Sequence, residues 1–435
     1  MKIDIKYVKR TMGVAVTSCF FAVSICIGQD STGNVMDVVD RHMDSHRYLE
    51  ALLETREYPV SPEFPNSLEV QMQLMFSSFL GQNRYYSELI EAWEDNLKLS
   101  DSLRNMVLGS AYQDDEAIGK MIELAKDKQI VMVNEMHFYP HHRLLAMDLL
   151  TRLRALGYTY FALETLAEGQ DTVLNEADAF PRLGTGYYTR EQNFSNLIRL
   201  AKQLDFRFVA YENTDPDKDR EEGEADNLYR GTFAADPSAK VFVFAGGSHI
   251  MERPDGNGKK WMATIFKERY GIDPLTIDQF SLNAYRHDIS GNYALMERKQ
   301  FGNQEKLAST DLQVVSNRHY TGAWDGKEEY RNDTNQEIQV ALFYYSELGE
   351  KLEVDSLIPY FTALLLPGEQ LQLPYLLSEG AYLVVYNGEG HTLERKHIGK
   401  VKLRGNFFKR SLKRCQMLSN TSKNLGSLTT LCCYC

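Results

Sequence analysis

The sequence predicts an α/β protein, a mostly parallel sheet flanked by helices, with a helical N-terminal segment and a small C-terminal antiparallel β-module. Three observations carry this. Between about residues 128 and 304, short apolar runs alternate with helix-like stretches, as in a sheet covered on both faces. Before that region apolar residues recur every three or four positions. From about residue 305 only short β-like segments separated by turn residues remain.

Taken in order, residues 29–127 read as helix. "NVMDVVDRHMDSHRYLEALLETREY", "SLEVQMQLMFSSFLG" and "SELIEAWEDNLKLSDSLRNMVLGSAY" carry the helical spacing, and "YPVSPEFPNS" breaks it with three prolines. The first strand is "QIVMV", followed by the helix "PHHRLLAMDLLTRLRALG". "YTYFALE", "FRFVAYE", "KVFVFAGGSH" and "IDPLTIDQ" supply further strands, with "REQNFSNLIRLAKQLD" and "DREEGEADNLYRGTF" as helices between them. Residues 305–404 form the expected β-module, from "DLQVVSN" through "EIQVALFYY", "EQLQLPYLL" and "AYLVVYNG" to "RKHIGKVKL".

The chain of 435 residues has a formal net charge of −12, which argues against a nucleic-acid-binding surface. Its ends are basic. Residues 1–28 carry +3 and residues 401–435 carry +7, leaving the body between them at −22. Lys2, Lys6, Lys9 and Arg10 precede the apolar run "TMGVAVTSCFFAVSICIG", the layout of a secretory signal cleaved after Gly28. The expectation is an exported, periplasmic or secreted protein without a stable transmembrane span after cleavage. A lipid anchor through Cys19 ranks lower, because the apolar run continues beyond it. The other cysteines are Cys26, Cys415, Cys432, Cys433 and Cys435, so the body has neither disulfides nor a thiolate nucleophile. Residues 405–435 read as a basic, disordered tail.

Parallel strands end on one edge, where ligands bind. The expected strands deliver Glu135 and His137, then Glu164, Tyr211 and Glu212, then His249, and finally Asp278 to that edge. Glu164 follows "YFAL", where an unpaired carboxylate is costly. Gly246 and Gly247 before His249 permit close approach. A carboxylate beside a histidine sets the imidazole tautomer and makes a general base for water. His137 and His249 with a glutamate would instead hold a divalent metal. His142 is a candidate binding group, and His141 is expected to face solvent. Arg220, with Asn227 two helical turns on, suits a substrate carbonyl or carboxylate; the competing reading pairs Arg220 with Glu221 or Glu224 on a solvated helix face.

"NEMH", "ALE", "REEGEADNLY" and "FAGGSHI" occur in an order that resembles the superfamily of erythromycin esterases, ChaN-like haem-uptake proteins and Tiki/TraB proteins, over about residues 128 to 280. The usual G-E-x-H of the first strand has Asn134 in place of its glycine, and the closing G-x-x-H is intact as Gly246 to His249. The Arg220–Asn227 stretch is similar to the R-x-x-x-A-x-N of esterase relatives, with a longer spacing to Ala225. The resemblance implies three activities in different branches: water activated by Glu and His on an ester, a metal-dependent protease using G-x-x-H histidines, or haem binding. It implies Glu135, His137, Glu164, Arg220 and His249 as catalytic residues of a hydrolase for an ester or amide bond of a small molecule or peptide. His142, Tyr211, Glu212 and Asn227 would line the substrate. In the haem branch Tyr211, His137, His142 or His249 would be the axial ligand.

Overall fold

The computed structural model describes residues 34–399 apart from 61–66, 82, 96, 98–99, 303, 305, 320–323 and 350–351. The expected signal segment, the basic tail and all six cysteines lie outside the described residues. Among the described residues, no helix is long and apolar enough to cross a membrane.

Among the described residues five helices come first: α1 (Met36–Arg41), α2 (Tyr48–Arg56), α3 (Leu68–Phe79), α4 (Arg84–Asp95) and α5 (Asp101–Leu108). Ser67 and Ser100 start α3 and α5 by accepting the backbone N–H of Val70 and Leu103, as short hydroxyl side chains do at helix N-termini. Then come β1 (Tyr112–Gln113), α6 (Asp114–Ala125), β2 (Ile130–Glu135), α7 (His141–Ala155), β3 (Tyr160–Leu163), α8 (Gln170–Leu174), α9 (Gln192–Gln203), β4 (Arg207–Ala210), α10 (Arg220–Gly231), β5 (Val241–Gly246), α11 (Met262–Tyr270), β6 (Leu275–Asp278), β7 (Tyr293–Glu297) and β8 (Leu312–Ser316).

One eight-stranded sheet runs β1-β7-β8-β6-β2-β5-β3-β4. Its pairings are parallel from β8 to β4 and antiparallel at β1–β7 and β7–β8. The alternation of side chains along each strand divides the core in two. Val131, Val133, Phe161, Leu163, Phe242 and Phe244 face α6, α7, α9 and the N-terminal helices. Ile130, Met132, Ala162, Val241, Val243 and Ala245 face α10 and α11. The rings of Phe161 and Phe242 stack at 5.2 Å, and burying each contributes roughly 1.5–3 kcal/mol.

The N-terminal helices share one core with the sheet, through Val38, Leu52, Met75 and Phe79, and β1 pairs with β7. One expected boundary shifts. Residues 312–316, expected in the β-module, form β8 of the main sheet, between β6 and β7. All five are buried, Gln313 and Ser316 included, and a short segment of this kind does not show by its period which strand it pairs with.

The C-terminal module contains β9 (Glu329–Arg331), β10 (Ile338–Phe343), β11 (Phe361–Leu365), β12 (Gln370–Gln372), β13 (Ala381–Asn387) and β14 (Thr392–Ile398). β11-β10-β13-β14 form a four-stranded antiparallel sheet, and β9 pairs with β12. Buried Gln339 joins it to the N-terminal helices, donating to His46 O at 2.8 Å and accepting from Leu49 N at 3.1 Å.

Candidate active site at the carboxyl ends of the strands

The central strand order β6-β2-β5-β3-β4 places Gly246 between Glu135 and Glu164. Glu135 registers with Gly246 across β2 and β5, and Leu163, just before Glu164, registers with Phe244. A Cβ on Gly246 would lie 2.9 Å from His137 Cε1, 3.0 Å from His137 Nε2 and 3.1 Å from Glu164 Oε2. Glycine here is a steric requirement. Gly247 turns the chain with φ +40°, a conformation that suits glycine.

Glu135 and His137 form a dyad. His137 Nδ1 lies 2.9 Å from Glu135 Oε1, and the imidazole stacks on Tyr188 at 3.7 Å between ring centres and 11° between planes. Behind it, Arg143, fully enclosed in the first turns of α7, donates to Glu135 Oε2 at 2.8 Å and Oε1 at 3.1 Å, to Glu191 Oε2 at 3.1 Å and to the His137 carbonyl at 2.6 Å. Burial works to raise the Glu135 pKa, but Arg143 and His137 overcome it and hold the carboxyl below its usual range. Glu191, the N-cap of α9, is shifted upward by its burial despite Arg143.

Across Gly246 lies a second charged group. Glu164 Oε2 accepts the Gly246 N–H, and Glu164 Oε1 accepts from Arg220 Nη2 at 2.8 Å. Arg220 Nη2 also reaches Glu212 Oε1 at 3.0 Å, and its Nε lies 2.8 Å from Glu224 Oε1. His249 Nδ1 lies 2.8 Å from Glu221 Oε2 and 3.2 Å from Glu224 Oε2, while its Nε2 is 3.4 Å from Glu164 Oε1 and 3.0 Å from Arg220 Nη1.

Burial opposes a charge on His249, yet Glu164, Glu224 and Glu221 raise its pKa well above the ordinary value. The Arg220 contact instead suits a neutral ring, because a guanidinium only donates. Both demands place a proton on Nδ1, pointing at Glu221. Glu164, despite burial, is held well below the usual carboxylate range by His249 and Arg220. Glu212 is pushed up to about 8 by burial and by Glu224. Glu212 and Arg220 are the open members, with side chains 28% and 22% exposed.

Glu135, His137, Glu164, Arg220, Glu212 and His249 are thus brought together, and other candidates serve differently. His142 is fully enclosed. Its Nδ1 accepts the Met136 N–H at 3.1 Å and its Nε2 reaches Asn283 Oδ1 at 3.0 Å. With both nitrogens engaged, it positions the 136–142 loop instead of lining the site. His141, expected to face solvent, is also buried and shares Asn283 Oδ1. Tyr211 is wholly enclosed behind the rim, which removes it, with His142, from direct contact with a substrate or haem iron. The Asn227 amide donates to the carbonyls of Tyr211 and Glu212 at 3.2 and 2.8 Å, fixing the loop after β4. Asp278 is buried and caps its own turn, accepting from Phe280 N at 2.8 Å and Asn134 Nδ2 at 2.9 Å.

Sequence reasoning missed Arg143, Tyr188 and Glu191, and saw Glu221 and Glu224 only as solvated partners of Arg220. The α10 face carrying Arg220, Glu221 and Glu224 packs inward, with both glutamates buried. Two acids three apart beside an arginine on a helix entering a strand edge were the available signal. Nothing local distinguishes Glu191, because the segment 175–191 reaches the site only through the fold.

Asn134 acts as a brace. Its Nδ2 donates to Gly247 O at 2.8 Å and Asp278 Oδ1 at 2.9 Å, and its Oδ1 accepts from Gln279 N at 2.8 Å. It ties the ends of β2, β5 and β6 together.

No family model and no curated protein matches the chain. Among solved structures it is similar to the type III effector HopBA1, with TM-score 0.34 and 10% identity over 48% of this chain and 98% of the effector. It is also similar to a chain described as "Bacterial protein toxins", with TM-score 0.28 and 11% identity over 62% and 72% of the two chains. Neither likeness is close enough to carry an argument about function.

Proposed function

We propose that the protein is a hydrolase of an ester or amide bond, acting through water activated by His137. The observation that carries this reading is the His137–Glu135 dyad clamped from behind by Arg143. With Nδ1–H donated to an ionised Glu135, His137 takes protons at Nε2, the nitrogen beside Gly246 and Glu164. Water gives a proton to Nε2 as its oxygen attacks the carbonyl carbon. The carbonyl oxygen, now negative, is stabilised by the Arg220 guanidinium. When the bond to the leaving group breaks, His137 returns the proton to it. Glu164, held ionised by its cationic neighbours, orients Arg220 and His249 and does not supply a proton.

The residue order that resembles the esterase, ChaN-like and Tiki/TraB superfamily fits the reading through its esterase branch, and export, read from the first 28 residues, belongs to it. The test is hydrolysis of a panel of esters, lactones and peptides by purified protein. His137→Ala is expected to lower the rate by roughly 10²–10⁴-fold. Unchanged hydrolysis in both His137→Ala and His249→Ala would overturn the reading.

A further inference from the structure

We propose that Glu221, Glu224 and His249 form a binding site for one divalent transition-metal ion, Mn²⁺ or Zn²⁺. His249 Nδ1 and one oxygen from each glutamate lie within 4.8 Å of one another, and all three residues are buried. His137 is not a member of this group, so the donor set differs from a pairing of the two strand-end histidines.

The spacing suits ligands of a shared ion. Donors held at ~2.0–2.2 Å from one tetrahedral ion stand roughly 3.3–3.6 Å apart; Glu221 Oε2 and Glu224 Oε2, now 2.8 and 3.2 Å from His249 Nδ1, would open by a few tenths of an ångström on binding. One imidazole with two carboxylates suits first-row divalent ions.

Two further features point to a ligand. Wholly buried Glu224 is held by ion pairs, 2.8 Å to Arg220 Nε and 3.2 Å to His249 Nδ1, that are poorly aligned as hydrogen bonds, and the enclosed Tyr211 hydroxyl has no hydrogen-bond partner among the described residues. That hydroxyl lies in the field of Glu164, Glu224 and Glu212. Buried polar groups normally find partners. The surroundings also have the bracing that metal ligands need. The second oxygen of Glu224 lies 2.8 Å from Arg220 Nε, that of Glu221 lies 3.6 Å from Lys259 Nζ, and Glu164 Oε1 stands 3.4 Å from the far nitrogen of His249.

A divalent ion takes the place of the Nδ1 proton, so that Nε2 carries the ring proton toward Glu164 and Arg220 Nη1 turns aside. Uptake therefore strengthens as pH rises. Binding stands apart from the hydrolytic reading; only a catalytic role for the ion rests on it.

The test is equilibrium dialysis of untagged full-length protein, stripped with chelator, against Mn²⁺ and separately Zn²⁺, with elemental analysis. Mn²⁺ avoids the C-terminal cysteines, which would take Zn²⁺ as thiolates. The expected result is an ion whose affinity falls about 100-fold in Glu224→Gln and in His249→Ala, and is kept in His137→Ala. Ions held at the partly exposed group His42, Glu50 and Glu54 would survive Glu224→Gln and do not count. Uptake that is absent for both ions, or unchanged in both variants, overturns the site. If thermal melts show that the variants fail to fold, Co²⁺ bound to His42→Ala protein, which lacks the other group, decides: visible ligand-field absorption without thiolate charge transfer, lost at acid pH, supports the site, and its absence overturns it. Metal uptake without hydrolysis would sink the hydrolytic reading and leave the site; hydrolysis without uptake would do the reverse.

Discussion

Arg143 donates to both carboxylate oxygens of Glu135, at 2.8 and 3.1 Å, from a position with no solvent exposure. A bidentate pair of this kind fixes the plane of the carboxylate, and the plane of Glu135 decides where His137 Nδ1 points. The rest of the buried guanidinium goes to Glu191 and the His137 carbonyl, so one residue sets both ends of the loop.

Arg143→Met keeps the volume and removes the charge. It leaves Glu135 and Glu191 buried without their cation, which is expected to cost about 3–5 kcal/mol. Urea denaturation measures it. A loss below about 1 kcal/mol would show that the two carboxyls do not depend on Arg143.

Asn134→Gly deletes three hydrogen bonds, two of them buried. Leaving Gly247 O, Asp278 and the Gln279 N–H short of a partner is expected to destabilise the fold by about 2–4 kcal/mol. Chemical denaturation with both proteins in one buffer checks it, and an unchanged midpoint contradicts the bracing role.

Gly246→Ala tests the close approach of the two charged groups. The added methyl group would press on the His137 ring and on Glu164, at an expected cost of about 1–3 kcal/mol. Displacing His137 is expected to reduce hydrolysis by roughly 10²-fold or more. A folded Gly246→Ala protein with wild-type turnover would separate the site from this contact.

Glu212 links pH to stability. Its pKa is pushed from 4.5 to about 8 by burial and by Glu224, so between these values the folded protein binds a proton that the unfolded chain releases. Stability therefore falls as pH rises through this window. His249, also raised, acts in the same direction above its ordinary value. Glu212→Gln is expected to flatten the fall between pH 5 and 8 and to be the more stable protein at pH 8, measured by melting each across that range. Parallel curves for the two proteins would contradict it.

The strand–helix alternation of residues 128–280 was legible because burying a parallel strand on both faces demands an unbroken apolar run, as in "IVMV" and "VFVFA". The ends of those runs named Glu135, Glu164 and His249 for the same reason. Residues 312–316 were placed in the wrong sheet because a buried run does not reveal its neighbours. His141 was expected to face solvent and His142 to reach the site because a helix start is usually open, and here α4 and the 283–286 turn close over that helix start through Glu94, Arg286 and Asn283.

By itself, the sequence determined the α/β class, the order of the strands along the chain and the polar residues at their carboxyl ends, since local period and composition follow from which faces are buried. Only the tertiary structure decided that Arg143 and Glu191 stand behind Glu135, that Tyr188 stacks on His137, and that the glutamates of α10 face His249. Those contacts join segments distant along the chain. Their energies depend on distance and desolvation, which strand order and helix packing set and local sequence does not.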